Sequence, residues 1–152
     1  MVFEGFGQCN YLIRNMNLTE VKLINLPKVL DERGNLSFME EGEHVPFDIR
    51  RTYWIYDVPG GEQRGGHSYK TNQELIVALS GSFDVIVQDG AETKVFTLNR
   101  SYYGLYIPAG IWRHMENFST NSLAFVVAST DFDEDDYECE FDDYVTFKAA
   151  AR

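Results

Sequence analysis

One spacing constrains this chain more than any other feature. Gly61, His67, Tyr69, Glu74 and Gly81 follow one another at fixed intervals: Gly, five residues, His-x-Tyr, four residues, Glu, six residues, Gly. Further on, Pro108-Ala109-Gly110-Ile111-Trp112-Arg113 runs to Asn117 as Pro-x-Gly-x-x-Arg-x-x-x-Asn. Glycine and proline punctuate both stretches, and chemically active side chains stand between the breaks. His67 and Tyr69 are two apart, so on an extended strand they share a face. Arg113 and His114 are adjacent, so on a strand they point to opposite faces, and the spacing favours Arg113 as the inward residue.

The rest of the chain reads as short strands with turn signals between them. Val21–Ile24, Leu36–Met39, Arg51–Tyr56, Glu74–Leu79, Phe83–Val87, Lys94–Leu98, Tyr102–Ile107 and Leu123–Ser129 are apolar or alternating runs rich in rings and β-branched residues. Asp31–Asn35, Pro59-Gly60-Gly61 and Ser80-Gly81 break them, and Asp89-Gly90 predicts a hairpin. No stretch before the tail has a helical period. The tail, Glu134 to Phe147, is expected to form one short helix. This spacing of strands predicts an all-β sandwich or small barrel.

The two spaced stretches resemble the paired motifs of the cupins, whose metal site uses three His and one Glu. Tyr69 stands at the second His position and Arg113 at the third. His67 and Glu74 alone are too few ligands, and Arg113 is a cation, so no metal is expected. Glu74 is read as structural, with Arg113 as one partner for it. The fold expectation is a single-domain cupin or jelly-roll (RmlC-like) barrel over residues 18–148 with a short C-terminal helix. Residues 1–17 read as an N-terminal extension, either an exchanged strand or a loose end.

A net charge of −11 argues against nucleic acid or an anionic membrane as partner. It leaves room for an anionic small ligand, because Arg33, Arg50, Arg51, Arg64, Lys70, Arg100 and Arg113 gather in the middle of the chain while the acids crowd between Asp131 and Asp143. Cys9 and Cys139 form no disulfide framework, which suits a cytoplasmic protein. No apolar run approaches the roughly 20 residues of a membrane span. Near neutrality His67 can give or take a proton. Tyr69 is expected to donate one. His44, in a polar loop, reads as a solvated surface residue.

Larger blocks sharpen the resemblance. Asp31-Glu32-Arg33-Gly34, Pro46-Phe47-x-Ile49-x-Arg51-x-Tyr53-Trp54-Ile55, Arg64-Gly65-Gly66-His67-Ser68-Tyr69-Lys70, Gly104-Leu105-Tyr106-Ile107-Pro108 and Phe132-Asp133-Glu134-x-Asp136-Tyr137 occur in order. Over most of its length the chain resembles the WxcM-like nucleotide-sugar 3,4-ketoisomerases. That resemblance implies a dTDP-4-keto-6-deoxyhexose substrate, a carbonyl moved from C4 to C3 through an enediol, no cofactor and a homodimer. It implies His67 and Tyr69 as the catalytic pair, although Tyr69 replaces a family His. Arg33, Arg51, Tyr53, Arg64, Lys70 and Arg113 are the expected substrate-binding residues. Two alternatives are a non-catalytic nucleotide-sugar-binding cupin and a dTDP-keto-sugar 3,5-epimerase.

Overall fold

The computed structural model describes residues 12–150. Twelve strands run in order: β1 (Lys22–Asn25), β2 (Lys28–Val29), β3 (Leu36–Ser37), β4 (Arg51–Ile55), β5 (Arg64–Tyr69), β6 (Glu74–Ser80), β7 (Phe83–Gln88), β8 (Thr93–Leu98), β9 (Tyr103–Ile107), β10 (Trp112–Glu116), β11 (Leu123–Ala128) and β12 (Tyr137–Glu138). A C-terminal helix, Phe141–Ala149, follows. Two five-stranded antiparallel sheets carry the structure, in the orders β1-β9-β6-β11-β4 and β12-β5-β10-β7-β8; β2 and β3 pair separately. This is the all-β sandwich that the turn spacing predicts, and the jelly roll that the cupin resemblance implies. Among the described residues no helix is long and apolar enough to cross a membrane.

Alternation decides which side chains enter the space between the sheets. Val85 and Val87 of β7, Ile76 of β6, Leu105 of β9, Met115 of β10 and Val126 of β11 are all fully buried and form one apolar cluster. Each such aliphatic side chain stabilises the fold by about 1.5–3 kcal/mol relative to exposure. A second cluster covers the outer face of the first sheet, where Val45 and Phe47 from the long connection before β4 lie on Leu75 and Val127.

The tail departs from expectation. The expected single helix is broken: Glu134–Asp136 make one 3-10 turn, Tyr137 and Glu138 form β12, paired with Tyr69 and Ser68 of β5, and the α-helix begins only at Phe141. Its Tyr144 and Lys148, one turn apart, face the barrel. The Tyr144 hydroxyl meets the Gln88 carbonyl at 2.9 Å, and the Lys148 ammonium donates to the carbonyls of Ile13, Met16 and Gly110. Residues 12–15 are helical, an element that the strand pattern did not suggest. The exchanged strand expected within residues 1–17 concerns mainly residues 1–11, which lie outside the described residues.

Candidate active site

Strand β5 carries the centre of the site and contains a bulge. Arg113 of β10 faces His67, but Met115, two residues on, faces Arg64, three residues back. The extra residue falls at Gly65-Gly66, and Gly65 has φ +69°. A β-bulge with a left-handed glycine bends a strand and re-aims its side chains. Here it lets Arg64 line the same cavity as His67 despite an odd separation. Gly65 has a second reason to lack a side chain: a Cβ there would lie 2.0 Å from Arg113 Nη1. What passes close to this backbone is thus the chain's own guanidinium.

Arg113 is 2% exposed and Glu74 1%. Arg113 Nε and Nη2 donate to Glu74 Oε2 at 3.0 and 2.8 Å, Nη1 donates to the Gly65 carbonyl at 2.9 Å, and Nη2 also reaches the Tyr53 hydroxyl at 2.9 Å. The Tyr53 hydroxyl in turn donates to Glu74 Oε1. Burial alone would make Arg113 easier to deprotonate, but Glu74, Tyr53 and Tyr69 together hold its pKa above the ordinary value. Burial raises the Tyr53 phenol, helped by Glu74 and opposed by Arg113, so it stays protonated. Both Glu74 oxygens are therefore engaged and a fixed cation fills the neighbouring position. This donor set does not fit the divalent metal of other cupins, and no cluster of three or more His, Cys, Asp or Glu among the described residues could hold one.

Above this pair opens a cavity of about 360 Å³. Of the residues singled out in the sequence, Arg51, Tyr53, Arg64, His67, Tyr69 and Arg113 line it together. Two do not. Arg33 is 88% exposed on its turn and ion-paired with Asp31 at 2.8 Å. Lys70 lies one residue beyond β5, where its ammonium donates to the Asp135 carbonyl at 2.6 Å and its chain borders a separate, smaller cavity beside Tyr144. Trp54, on the other face of β4 from Tyr53, is 55% exposed. His114 points away from the active cavity, towards Glu116. His44 is half-buried, its Nδ1 accepting from the Glu40 backbone N–H at 3.1 Å.

His67 lines the centre of the cavity. Its Nε2 is buried and has no hydrogen-bond partner among the described residues, nor has Arg51 Nε. Burial first, then the positive charges of Arg113 and Arg51, lower the His67 pKa from 6.5 to about 3. The imidazole is neutral at any physiological pH, with a lone pair free to accept a proton. Tyr69 is moved the other way: burial and the Glu74 carboxylate raise its pKa well above the ordinary phenol range, despite Arg113. The Arg51 guanidinium lies against two rings, 5.7 Å from the Tyr53 centroid and 5.6 Å from that of Phe132.

Phe132 and Tyr137 complete the wall, and neither was singled out as a site residue. Tyr137 packs at 4.9 Å from the His67 ring and 4.7 Å from Tyr69, which is itself 4.7 Å from His67. Both stood in the sequence block Phe132-Asp133-Glu134-x-Asp136-Tyr137, inside an acidic run. One acid of that run, Asp136, is buried and accepts from Thr71 N, Thr71 Oγ1 and Asn72 N at 2.7, 2.8 and 3.0 Å. Asn72 Oδ1 takes the backbone N–H groups of Ser129 and Thr130. These bonds clamp the tail to the β5–β6 turn. Asp136→Ala is expected to cost about 1–3 kcal/mol and to speed amide exchange across residues 133–138, read by hydrogen-exchange mass spectrometry. Exchange no faster than elsewhere in the barrel would mean that Tyr137 is placed by packing alone.

The family model described as FdtA, WxcM-like, C-terminal, matches residues 19–150. The chain belongs to this family. A WxcM-like relative, TDP-4-oxo-6-deoxy-alpha-D-glucose-3,4-oxoisomerase of Aneurinibacillus thermoaerophilus, is 38% identical over 130 residues, covering 86% of this chain and 94% of the relative. A crystal structure of a 3,4-ketoisomerase from Helicobacter canadensis superimposes with a TM-score of 0.83 at 32% identity, covering 86% of this chain and 98% of that one. A mutant of the Thermoanaerobacterium thermosaccharolyticum 3,4-ketoisomerase QdtA, solved with TDP-4-keto-6-deoxyglucose, gives 0.85 at 33% identity, with 88% and 96% covered.

Proposed function

We propose that the protein is a 3,4-ketoisomerase that moves the carbonyl of a dTDP-linked 4-keto-6-deoxyhexose from C4 to C3. The observation that carries this reading is a neutral, unpartnered His67 Nε2 facing un-ionised phenols in a cavity of a WxcM-like chain. The C3 hydrogen of the substrate is acidic because it lies next to the C4 ketone. His67 Nε2 removes it as a proton; the C3–H electron pair forms the C3–C4 double bond, and the carbonyl pair moves onto the C4 oxygen. The resulting enediolate holds its one hydroxyl proton between the two oxygens. A phenol of the cluster then protonates C4, the hydroxyl proton stays with the C4 oxygen, and C3 becomes the ketone. One carbon is oxidised as its neighbour is reduced, so the substrate balances its own redox change and calls for no cofactor.

Arg113, locked to Glu74, holds a positive charge beside the cavity where the enediolate forms. A preorganised charge in a dry site counts for more than the same charge in water. Arg51 and Arg64, which line the cavity, are the cations for the diphosphate. Outward-facing Trp54, Tyr56 and Leu79 form an exposed apolar face that fits pairing of two copies, the homodimer implied by the resemblance. The acidic net charge and cysteine usage favour a cytoplasmic enzyme of small molecules over a nucleic-acid partner.

The test is an NMR time course with dTDP-4-keto-6-deoxyglucose in D₂O. A 3-keto product with deuterium at C4 is expected. Deuterium entering C5 would make the protein a 3,5-epimerase, and bound but unchanged substrate would make it a binding protein.

A further inference from the structure

The outer surface of the second sheet carries a hollow of its own. On β10, Arg113 and Met115 enter the barrel, so Trp112, His114 and Glu116 turn outward. Gly66 of β5 is exposed on that side beside Trp112, and Phe141, the first residue of the C-terminal helix, closes one flank. With Gln88 of β7 these residues line a groove of about 390 Å³. That is within the roughly 300–1,000 Å³ of small-molecule sites. Arg64 and Gly65 border this groove as well as the active cavity. We infer that the outer groove is a second ligand site, for a hexosyl phosphate, with the sugar ring between Gly66 and Phe141 and the phosphate on Arg64. Occupancy engages Arg64 and so raises the KM for substrate. That consequence rests on the ketoisomerase reading; the site itself does not.

Two observations point to a ligand. The first is Gly66. Its φ is not left-handed, unlike that of Gly65, so the backbone does not require glycine. Packing does not require it either, because a Cβ there would meet nothing nearer than Trp112 Cζ2 at 3.8 Å, an ordinary contact. What the bare position does is open the floor of the groove, where a ligand can approach the β5 backbone. The second is Trp112. It is 6% exposed, yet among the described residues its indole N–H has no hydrogen-bond partner. An enclosed donor of this kind calls for a partner from outside the chain. Phe141 and Tyr144 pack against the indole at 5.1 and 5.5 Å between centroids, so the donor is held in place.

The remaining groups select the ligand class. Glu116 is occupied: Gln63 Nε2 donates to its Oε2 at 2.7 Å, and His114 Nε2 lies 3.6 Å from the same atom. Gln63 keeps its side-chain carbonyl, and the Gln88 amide has no partner among the described residues. An amide both donates and accepts, as a sugar hydroxyl does. Phe141, 38% exposed, offers an apolar ring to the C–H face of a pyranose. Arg64 adds the cation, and a guanidinium matches phosphate oxygens in pairs.

The test uses the full chain labelled with ¹⁵N-tryptophan. Its two tryptophans give two indole N–H resonances, and Trp54→Phe assigns the one from Trp112. α-D-Glucose 1-phosphate at millimolar concentration is expected to move the Trp112 resonance saturably, and inorganic phosphate to leave it in place. Gln88→Leu, and Gly66→Ala with its one added methyl on the groove floor, are each expected to weaken this binding about tenfold while the Trp54 resonance stays unchanged. With dTDP-4-keto-6-deoxyglucose as substrate, glucose 1-phosphate should raise the wild-type KM several-fold at constant kcat. Gln88→Leu should keep its basal activity and not respond. A Trp112 resonance that stays in place overturns the inference, as does an equal shift in wild type and both variants. The same shift with inorganic phosphate marks a plain anion site and overturns the sugar assignment. A KM that rises equally in Gln88→Leu puts the ligand in the active cavity and overturns the site. A wild type that makes no 3-keto sugar defeats the ketoisomerase reading, while the resonance still decides the groove; an active wild type with a silent Trp112 resonance defeats this inference alone.

Discussion

His67→Asn is expected to abolish both C3 exchange and 3-keto formation, lowering kcat by about 10² to 10⁴ while leaving substrate binding intact. Asparagine keeps a polar side chain of similar size but has no lone pair basic enough to take the proton. Because exchange is the first step, its loss separates this variant from any change in the acid. The wild-type pH profile should carry the same signature. The His67 pKa lies at about 3, so lowering the pH from 7 to 5 leaves the base unprotonated, and kcat/KM should not fall on its account. The sign is opposite for folding. In the unfolded chain the imidazole titrates at 6.5, so between that value and about 3 the unfolded state binds more protons. Stability is therefore highest above pH 6.5 and declines as the pH falls through this window. His67→Asn should flatten that decline. Loss of kcat/KM with a midpoint near pH 6.5, against a flat profile, would mean that the free enzyme holds a solvated His67.

Breaking the buried pair beneath the cavity should have the largest effect on stability. Glu74→Gln leaves the Arg113 charge enclosed with Tyr53 and the Gly65 carbonyl as its remaining partners. Removing one member of a buried ion pair typically costs about 3–5 kcal/mol. For a domain of this size that corresponds to about 6–20 °C in Tm. Replacing both, as Glu74→Met with Arg113→Met, should recover most of the loss, since apolar groups of similar volume need no compensating charge. Calorimetry of the two variants decides it. A double variant no more stable than Glu74→Gln would mean that hydrogen bonds to Tyr53 and Gly65, and not the uncompensated charge, set the cost. Activity should fall in both, because the positive charge beside the enediolate is gone or mispositioned.

Much of the barrel was legible because β-strands write their faces into the sequence. Phe83–Val87 and Arg51–Ile55 read as strands, and they form β7 and β4. His67, Tyr69 and Arg113 were found together by spacing alone. The misses came from charge. Arg33 and Lys70 flank the motifs, but a long cationic side chain follows local partners, here Asp31 and the Asp135 carbonyl. Tyr137 stood in one of the resemblance blocks, but its place in the cavity wall was hidden because a two-residue strand has no periodicity. The acids from Asp131 to Asp143 read as a solvated face, and Asp136 is the exception, held in by three donors that belong to another part of the chain. Gly65 was legible as a close approach, but what approaches is Arg113.

The clamp at Asp136 also sets an order of events during synthesis. Strands β1 to β11 are complete at Ala128, and the wall made by Phe132 and Tyr137 leaves the ribosome after them. A nascent chain can pair β1 to β11, but the β12 edge of the second sheet and the cavity wall wait until that segment has folded back onto β5 and the β5–β6 turn. Because Tyr137 lies so near the C-terminus, the cavity wall is expected to close only once the finished chain has left the ribosome.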